Sequence, residues 1–203
     1  MLELLARIAL PATAFTMATA AFAWPALRLY RQTGLFVLTA GRNREGVELF
    51  VHVLFVVGLA IYMGFAGAYG ALGASYLGVE APGIIPLVAG IGACVCGLVV
   101  VVVAQQQMGQ SWRVGIDTEE TELVTSGLYS VIRAPIYLGI LVMLAGVVLL
   151  APLLVLVAGY PLVLGTLMWQ ARREEQHMRS LHPEAFDAWA AKTGRFLPGI
   201  GRL

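Results

Sequence analysis

Long uncharged stretches are the feature of this 203-residue sequence that most constrains its fold. A helix needs roughly 20 apolar residues to cross the hydrocarbon core of a bilayer. Hydrophobic residues make up 59% of the chain and charged residues only 12%, which excludes an ordinary soluble domain. We therefore expect an integral membrane protein. The uncharged stretches lie between Arg7 and Arg28, from Leu49 to Val79, from Ala81 to Trp112, and between Arg133 and Arg172.

The length of these stretches predicts an all-α polytopic protein with about five transmembrane helices. The last stretch, between Arg133 and Arg172, would form a helix of about 57 Å at 1.5 Å per residue, which is too long for a core of about 30 Å. Ala151-Pro152 near its middle is expected to divide it into a short helical hairpin. Residues 1–104 then hold three transmembrane helices and an arginine-rich first loop. Residues 105–203 hold a cytoplasmic loop, the hairpin and C-terminal helices.

The basic residues predict the orientation of these helices. Twelve of the thirteen lie in the first loop, the third loop or the tail, as is typical of cytoplasmic segments. The N-terminus is therefore expected outside and the C-terminus in the cytoplasm, at the cell membrane if the source is bacterial. Glu3 and Arg7 before the first stretch, and Trp24-Pro25 within it, favour a true span over a cleaved signal peptide.

Composition also argues against a nucleic-acid partner and against a bound metal. The net charge of +1 provides no basic stripe for a nucleic acid. Cys94 and Cys96 form no zinc-binding pattern, so no metal is expected.

The second span carries many small residues between Gly64 and Gly73, which allow helices to approach closely in lipid. They are expected to pack against the first or third span, with a homodimer as the alternative.

Polar residues concentrate in the loop Gln105–Pro135 and in the tail from Gln170 onward. Because the hairpin between them returns the chain to the side it left, the two stretches are expected to meet at the cytoplasmic face. In the loop, Ser126-Gly127 predicts a turn. Pro135 is expected in the first turn of the fourth span, where nearby backbone N–H groups can bind a ligand. If the segment is helical, spacings of four place three side chains on one face, namely Tyr129, Arg133 and Tyr137.

The tail is expected to continue the fifth span as a helix. Gln170, Glu174 and His177 would then share one face, which makes Glu174 the candidate inward carboxylate. Glu175 would point outward and pair with Arg179. His182-Pro183 is expected to end this helix, and a second short helix over Pro183–Ala191 would place Phe186 and Trp189 on one side, with Gly194 as its stop.

Several motifs in this half of the chain occur together in a fixed order. They are Leu123-Val-Thr-Ser-Gly-Leu-Tyr129, Arg133-x-Pro-x-Tyr-x-Gly139, a membrane hairpin, Glu174-Glu175, and a Phe-x-x-Trp pair that precedes Arg195-Phe-Leu-Pro198. This combination resembles the C-terminal half of the isoprenylcysteine carboxyl methyltransferase family, whose superfamily includes membrane phospholipid and thiol methyltransferases. The resemblance covers roughly residues 105–198.

The resemblance implies methyl transfer from S-adenosylmethionine at the cytoplasmic membrane face. It differs at two places: the family's histidine before proline is Ala134 here, and its tyrosine pair near the tail is Phe186 and Trp189. Carried over position by position, it assigns the following residues to the cofactor: Thr121, Glu122, Leu123, Val124, Tyr129, Arg133, Ala134, Pro135, Ile136, Tyr137 and Glu174.

The charge and shape of these side chains suggest which group of the cofactor each would bind. We expect Glu174 to hold the ammonium group of the cofactor, and Arg133 its carboxylate. Tyr129 or Tyr137 would pack on the adenine.

The acceptor is expected to be a small lipophilic molecule that enters from the bilayer. Gln170 and Arg113 are its predicted contacts. A carboxylate acceptor would need a cation to orient it, first Arg173, with Arg172 and Arg113 as the other candidates. An amine or thiol acceptor would need a base, either His177 or Glu175.

Two other classes of function stay open at this point. One is an NADPH-dependent reductase of the sterol type, whose membrane architecture and C-terminal cofactor region are broadly similar. The other is a non-enzymatic membrane scaffold or a small transporter, with the Gly64–Gly73 stretch as its assembly surface.

Overall fold

A computed structural model describes residues 1–34, 46–109 and 122–201. Most of these residues lie in helices, and among them strand-like pairing is limited to isolated bridges. The all-α prediction therefore holds for the described part of the chain. Within the described ranges the α-helices are α1 (Leu2–Met17), α2 (Trp24–Thr33), α3 (Gly46–Leu72), α4 (Ile84–Met108), α5 (Pro135–Leu150), α6 (Leu154–Leu181) and α7 (Pro183–Ala190).

The first predicted span is one long helix with a widened turn near its middle. The turn Ala18–Ala23 is π-helical and joins α1 to α2. Pro25, in the first turn of α2, has no N–H to donate to the carbonyl four residues earlier, so the regular ladder cannot pass through this point. The helical path from α1 into α2 therefore continues only with a wider turn.

In the part of the chain that the structure describes, two helices are long and apolar enough to cross a bilayer, Leu2–Arg28 and Ile84–Met108. Two further apolar helices are shorter, Val56–Leu72 and Pro135–Leu150. Apolar helices of this kind indicate membrane association, while the number of five spans stays a prediction.

The predicted hairpin is present. Helix α5 ends at Leu150 and α6 begins at Leu154, so the chain breaks at Pro152 as expected. Helix α6 then runs without interruption for 28 residues into the polar tail. It ends at Leu181, directly before His182-Pro183, and α7 follows. One continuous helix therefore carries both the apolar end of the hairpin and the polar residues of the tail.

At the opposite end of the molecule, α1 closes the C-terminus of α3. Arg7 donates from Nε to the Gly70 carbonyl oxygen at 3.0 Å, and Glu3 Oε1 accepts from the Ala74 backbone N–H at 3.2 Å. Gly73 ends α3 with a φ of 88°, in the left-handed region that glycine favours. Arg7, the one basic residue outside the predicted cytoplasmic group, thus satisfies carbonyl groups that the helix end leaves unpaired.

Helices α4 and α5 approach each other most closely at two pairs of glycines. A Cβ built on Gly97 would lie 2.5 Å from the Gly139 carbonyl oxygen, and one built on Gly146 would lie 2.6 Å from the Gly90 carbonyl oxygen. No side chain fits at such separations without moving a backbone, so the four glycines set the distance between α4 and α5. The loop before α5 packs against this pair of helices, on the side of α4.

The small residues of α3 behave in two ways. A Cβ on Gly70 would lie 2.7 Å from a Pro11 side-chain atom, so this end of the stretch packs on α1 as expected. Gly64 and Gly67 meet nothing within 4 Å, and both are exposed. The predicted packing within the molecule is confirmed at the end near Gly73, and the homodimer stays a prediction.

Candidate functional site

A tight turn that contacts the end of α4 positions the loop before α5. It is the 3₁₀ turn Gly127–Ser130, and its first residue, Gly127, has a φ of 61°. The Leu128 backbone N–H donates to Gln107 Oε1 at 2.8 Å, and a Cβ at position 127 would collide with the Gln107 amide. This turn buries Tyr129, which is 6% exposed.

One expectation for this loop is wrong. Tyr129, Arg133 and Tyr137 do not share a helix face, because the 3₁₀ turn ends at Ser130 and α5 begins only at Pro135. The intervening residues pair with the tail instead. As a result the two tyrosines lie near Glu174, while Arg133 reaches Glu175.

The tail returns to the loop and pairs with it along the backbone. The Arg133 N–H donates to the Gly194 carbonyl oxygen at 2.8 Å, and the Ala134 N–H donates to the Arg195 carbonyl oxygen at 2.9 Å. In the other direction, the Gly194 N–H donates to the Val131 carbonyl oxygen at 3.1 Å. The predicted meeting of the two polar stretches is confirmed.

Two tail residues have roles that differ from expectation. Gly194 does not stop α7, which already ends at Ala190. It is required for pairing, because a Cβ there would collide with the Leu197 carbonyl oxygen. Trp189 packs edge-on against Phe186 and donates from Nε1 to the Tyr129 carbonyl oxygen at 2.7 Å, which fixes α7 against the loop.

Glu174 lies at the centre of a polar cluster between α5 and α6. Tyr137, in the first turn of α5, donates from its hydroxyl to Glu174 Oε1 at 2.5 Å. Gln170, one turn earlier on α6, donates from Nε2 to the same oxygen at 3.0 Å. The expectation that Gln170 and Glu174 share a face is confirmed.

Enclosure of this cluster changes its acidities. Burial raises the pKa of the Glu174 carboxyl above its ordinary value, and the hydrogen bonds from Tyr137 and Gln170 offset only part of that effect. Burial also raises the pKa of Tyr129, and the nearby charge of Glu174 adds to this. Yet Glu174 and Tyr137 keep part of their surface accessible. The Glu174 carboxyl therefore lies in a poorly solvated environment that is not fully closed.

The neighbouring carboxylate, Glu175, has a different environment. Arg133 donates from Nε to Glu175 Oε1 at 2.8 Å, and Arg195 donates from Nη2 to Oε2 at 2.7 Å. Burial alone would raise the pKa of Glu175, but the hydrogen bonds from Arg195 and Arg133 outweigh it and lower the pKa below its ordinary value. The expected outward pair of Glu175 with Arg179 is wrong, because Arg179 pairs with Asp187 at 2.8 Å.

Arg133 is buried, and protein acceptors hold its guanidinium. Beyond Glu175, it donates from Nη1 to the carbonyl oxygens of Ala190 and Thr193, and from Nη2 to that of Gly201. Four of its five N–H donors are thereby engaged. The contacts join the loop before α5 to three points of the tail.

The remaining predicted site residues are dispersed. Arg173 lies 5.5 Å from the centre of the Trp169 ring, in cation–π geometry. Ile136 packs against the apolar core, and Pro135 is the first residue of α5. Glu122 is exposed, while Leu123, Val124 and Ala134 are half-buried. Thr121 and Arg113 lie outside the described residues.

Three residues that contribute to this region were not assigned a role from the sequence. Arg195 holds Glu175, Trp189 bonds to the Tyr129 carbonyl, and Gln107 caps the turn at Gly127. A signal existed for Gln107, since three glutamines end an otherwise apolar helix. The other two make contacts over 20 and 60 residues, which no local pattern reveals.

Comparison with known families covers the segment that contains this cluster. Residues 85–185 match the phospholipid methyltransferase family, across about half of the chain. This region belongs to the phospholipid methyltransferase family. No curated protein matches the chain.

The methyltransferase region runs from the start of α4 into α7, so it contains Tyr137, Glu174 and Glu175. Arg195 and the paired tail lie beyond it. Membership agrees with the resemblance found in the sequence and supports methyltransferase activity. Together with the two long apolar helices, it also indicates membrane association. The individual site residues stay predictions.

Proposed function

We propose that this chain transfers a methyl group from S-adenosylmethionine to a small lipophilic acceptor at the cytoplasmic membrane face. In this proposal the N-terminus lies outside and the C-terminus inside. One observation carries the proposal: an enclosed but accessible carboxylate, Glu174, is held by Tyr137 and Gln170 within a methyltransferase-family segment. In this proposal the soluble cofactor would reach this end of the α5–α6 hairpin from the cytosol, and the acceptor would reach it from the bilayer.

The chemistry of the cluster fits this cofactor. S-adenosylmethionine carries an ammonium and a sulfonium, both cationic. The pKa of Glu174 is raised chiefly because burial leaves its charge poorly solvated. A bound cation would therefore stabilise the ionised carboxylate, and the same interaction would favour binding.

The described contacts support specific roles. Glu174 would hold the ammonium. The ring of Tyr137 would pack on the adenine, because it is more accessible than buried Tyr129. Arg133 would hold the tail against the loop, since most of its donors are engaged. The backbone N–H groups of Ile136 and Tyr137, in the first turn of α5, would then bind the cofactor carboxylate.

When bound, the cofactor supplies an electrophilic methyl group on its sulfonium. The chain's own residues would align the acceptor and exclude water. The Phe186–Trp189 pair on α7 would cover the cluster from the tail side, fixed there by the bond to Tyr129. Arg173 would orient a carboxylate acceptor at the start of the polar half of α6.

A thermal-shift titration of the full chain in detergent tests this proposal. S-adenosylmethionine, its demethylated product and NADPH would be compared at the same concentrations. A ligand at 100 times its Kd adds about 2.7 kcal/mol to the free energy of unfolding, so both sulfur ligands should raise the melting temperature. Stabilisation by NADPH alone would contradict the proposal and favour a reductase. No stabilisation by any ligand would favour a scaffold.

A further inference from the structure

His177 carries a buried atom that the cluster around Glu174 does not use. Its Nε2 has no hydrogen-bond partner, and within the described part of the chain the only other buried side-chain atom of this kind is the Tyr69 hydroxyl. Leaving a buried polar group unpaired lowers the stability of the folded chain, because the group loses its hydrogen bonds to water. Such groups are few in native proteins, so each calls for an explanation.

The position of His177 connects it to the site. It lies on α6 seven residues after Gln170 and three after Glu174, so all three side chains occupy one face of the helix. Residues three apart on a helix have Cβ atoms about 5–6 Å apart. The imidazole is therefore one turn from the carboxylate that Tyr137 reaches from α5. By contrast His182, at the end of the same helix, has an interaction partner.

We propose that Nε2 of His177 is the proton acceptor of the methyl transfer, a role that rests on the proposed function. An acceptor with a proton on its nucleophilic atom would supply the partner that Nε2 lacks. A carboxylate acceptor has no such proton at neutral pH, and its negative charge would be placed near Glu174. The inference therefore selects amines or thiols over carboxylates. It also favours His177 over Glu175 as the base, because two arginines hold Glu175.

The step balances with the groups named. The acceptor's bond to hydrogen breaks, and the proton moves to Nε2 of His177. The electron pair left on nitrogen or sulfur forms the new bond to the methyl carbon. The bond between that carbon and the donor's sulfur breaks, its pair stays on sulfur, and the sulfonium becomes a neutral thioether. The proton on the imidazole then passes to water.

The test uses the full chain in detergent with three acceptors of equal chain length: dodecylamine, dodecanethiol and dodecanoic acid. The variant His177→Gln would be compared with Gln176→Ala, a substitution at an exposed position on the same helix. Binding of S-adenosylmethionine, measured by calorimetry, reports folding and the cofactor site. Transfer of labelled methyl groups reports the reaction.

We expect the wild type to methylate the amine or the thiol. His177→Gln should bind the cofactor within about twofold of the wild type and lose roughly 100-fold or more in transfer rate, the usual contribution of a general base. Gln176→Ala should match the wild type in both.

Three results of the transfer assay would overturn the inference, while cofactor binding by the wild type would still uphold the proposed function. They are transfer by His177→Gln at more than a third of the wild-type rate, transfer to dodecanoic acid alone, and transfer to none of the three acceptors. A variant that no longer binds the cofactor would assign His177 to the binding site or the fold, and would also overturn it. A wild type that does not bind S-adenosylmethionine would overturn the proposed function itself.

Discussion

Removing the charge of Glu174 should separate its contribution to binding from its contribution to folding. The substitution Glu174→Gln keeps the size of the side chain and an oxygen that can accept from Tyr137 and Gln170. It removes the negative charge that the proposed cofactor ammonium would meet. Ligand affinity and stability of the free protein are then expected to change in opposite directions.

The loss of affinity follows from the strength of the bond. Hydrogen bonds that involve a charged group contribute about 1.5–3 kcal/mol and neutral ones about 0.5–1.5 kcal/mol. A difference of about 1–2 kcal/mol corresponds to a roughly 5- to 30-fold weaker Kd. Glu174→Gln should therefore bind S-adenosylmethionine at least several-fold more weakly than the wild type.

The effect on stability follows from the raised pKa of Glu174. Because this pKa is higher in the folded than in the unfolded chain, folding favours the protonated carboxyl. Its contribution is fully present below the ordinary pKa of a glutamate and is lost as the pH rises through the raised value. Glutamine does not titrate. The free variant should therefore become more stable than the wild type as the pH rises through that interval.

Calorimetry with S-adenosylmethionine and melting temperatures of the ligand-free protein across pH provide the two measurements. Glu184→Gln, which removes an exposed carboxylate from α7, is the matched control and should change neither. Affinity within twofold of the wild type would remove Glu174 from the cofactor site. A ligand-free variant that melts well below the wild type at neutral pH would refute the argument from burial.

Two further substitutions test the framework around the site. Glu175→Gln should lower the free energy of unfolding by about 1–3 kcal/mol, since it leaves buried Arg133 without its carboxylate. Denaturant unfolding measures this change. An unchanged unfolding midpoint would show that the ion pair contributes nothing to stability. Gly97→Ala should destabilise by about 1–3 kcal/mol because its Cβ would reach the Gly139 carbonyl. The control is Gly92→Ala, whose Cβ would have no atom within 4 Å, so this variant should be as stable as the wild type or more stable. Equal melting temperatures of the two variants would argue against close packing of α4 on α5.

The sequence predicted what depends on neighbouring residues. Proline set the breaks at Pro152 and Pro183, and a spacing of four identified Glu174 as facing Gln170. It failed where the partner is distant. Glu175 was matched with Arg179, the nearest suitable charge, whereas its partners are Arg133, 42 residues away, and Arg195, 20 residues away.

The glycines show the same limit. Their high density between Gly64 and Gly73 predicts close helix packing, but Gly64 and Gly67 are exposed, and a Cβ on either would meet nothing within 4 Å. The close packing of α4 on α5 instead uses single glycines seven residues apart, on helices separated by a long loop. Such a contact cannot be predicted from either helix alone, because single glycines spaced seven residues apart give no distinctive sequence pattern.

The return of the tail to the loop before α5 has a consequence for biosynthesis. Arg133 depends on the carbonyl of Gly201, 68 residues later, and Tyr129 on Trp189, 60 residues later. At 5–20 residues per second, a ribosome needs about 3–14 s to add 68 residues. Helices α4 and α5 can form and pair in that interval, while Arg133 still lacks most of its acceptors. The region around Arg133 and Glu175 is therefore completed only after α4 and α5 are in place.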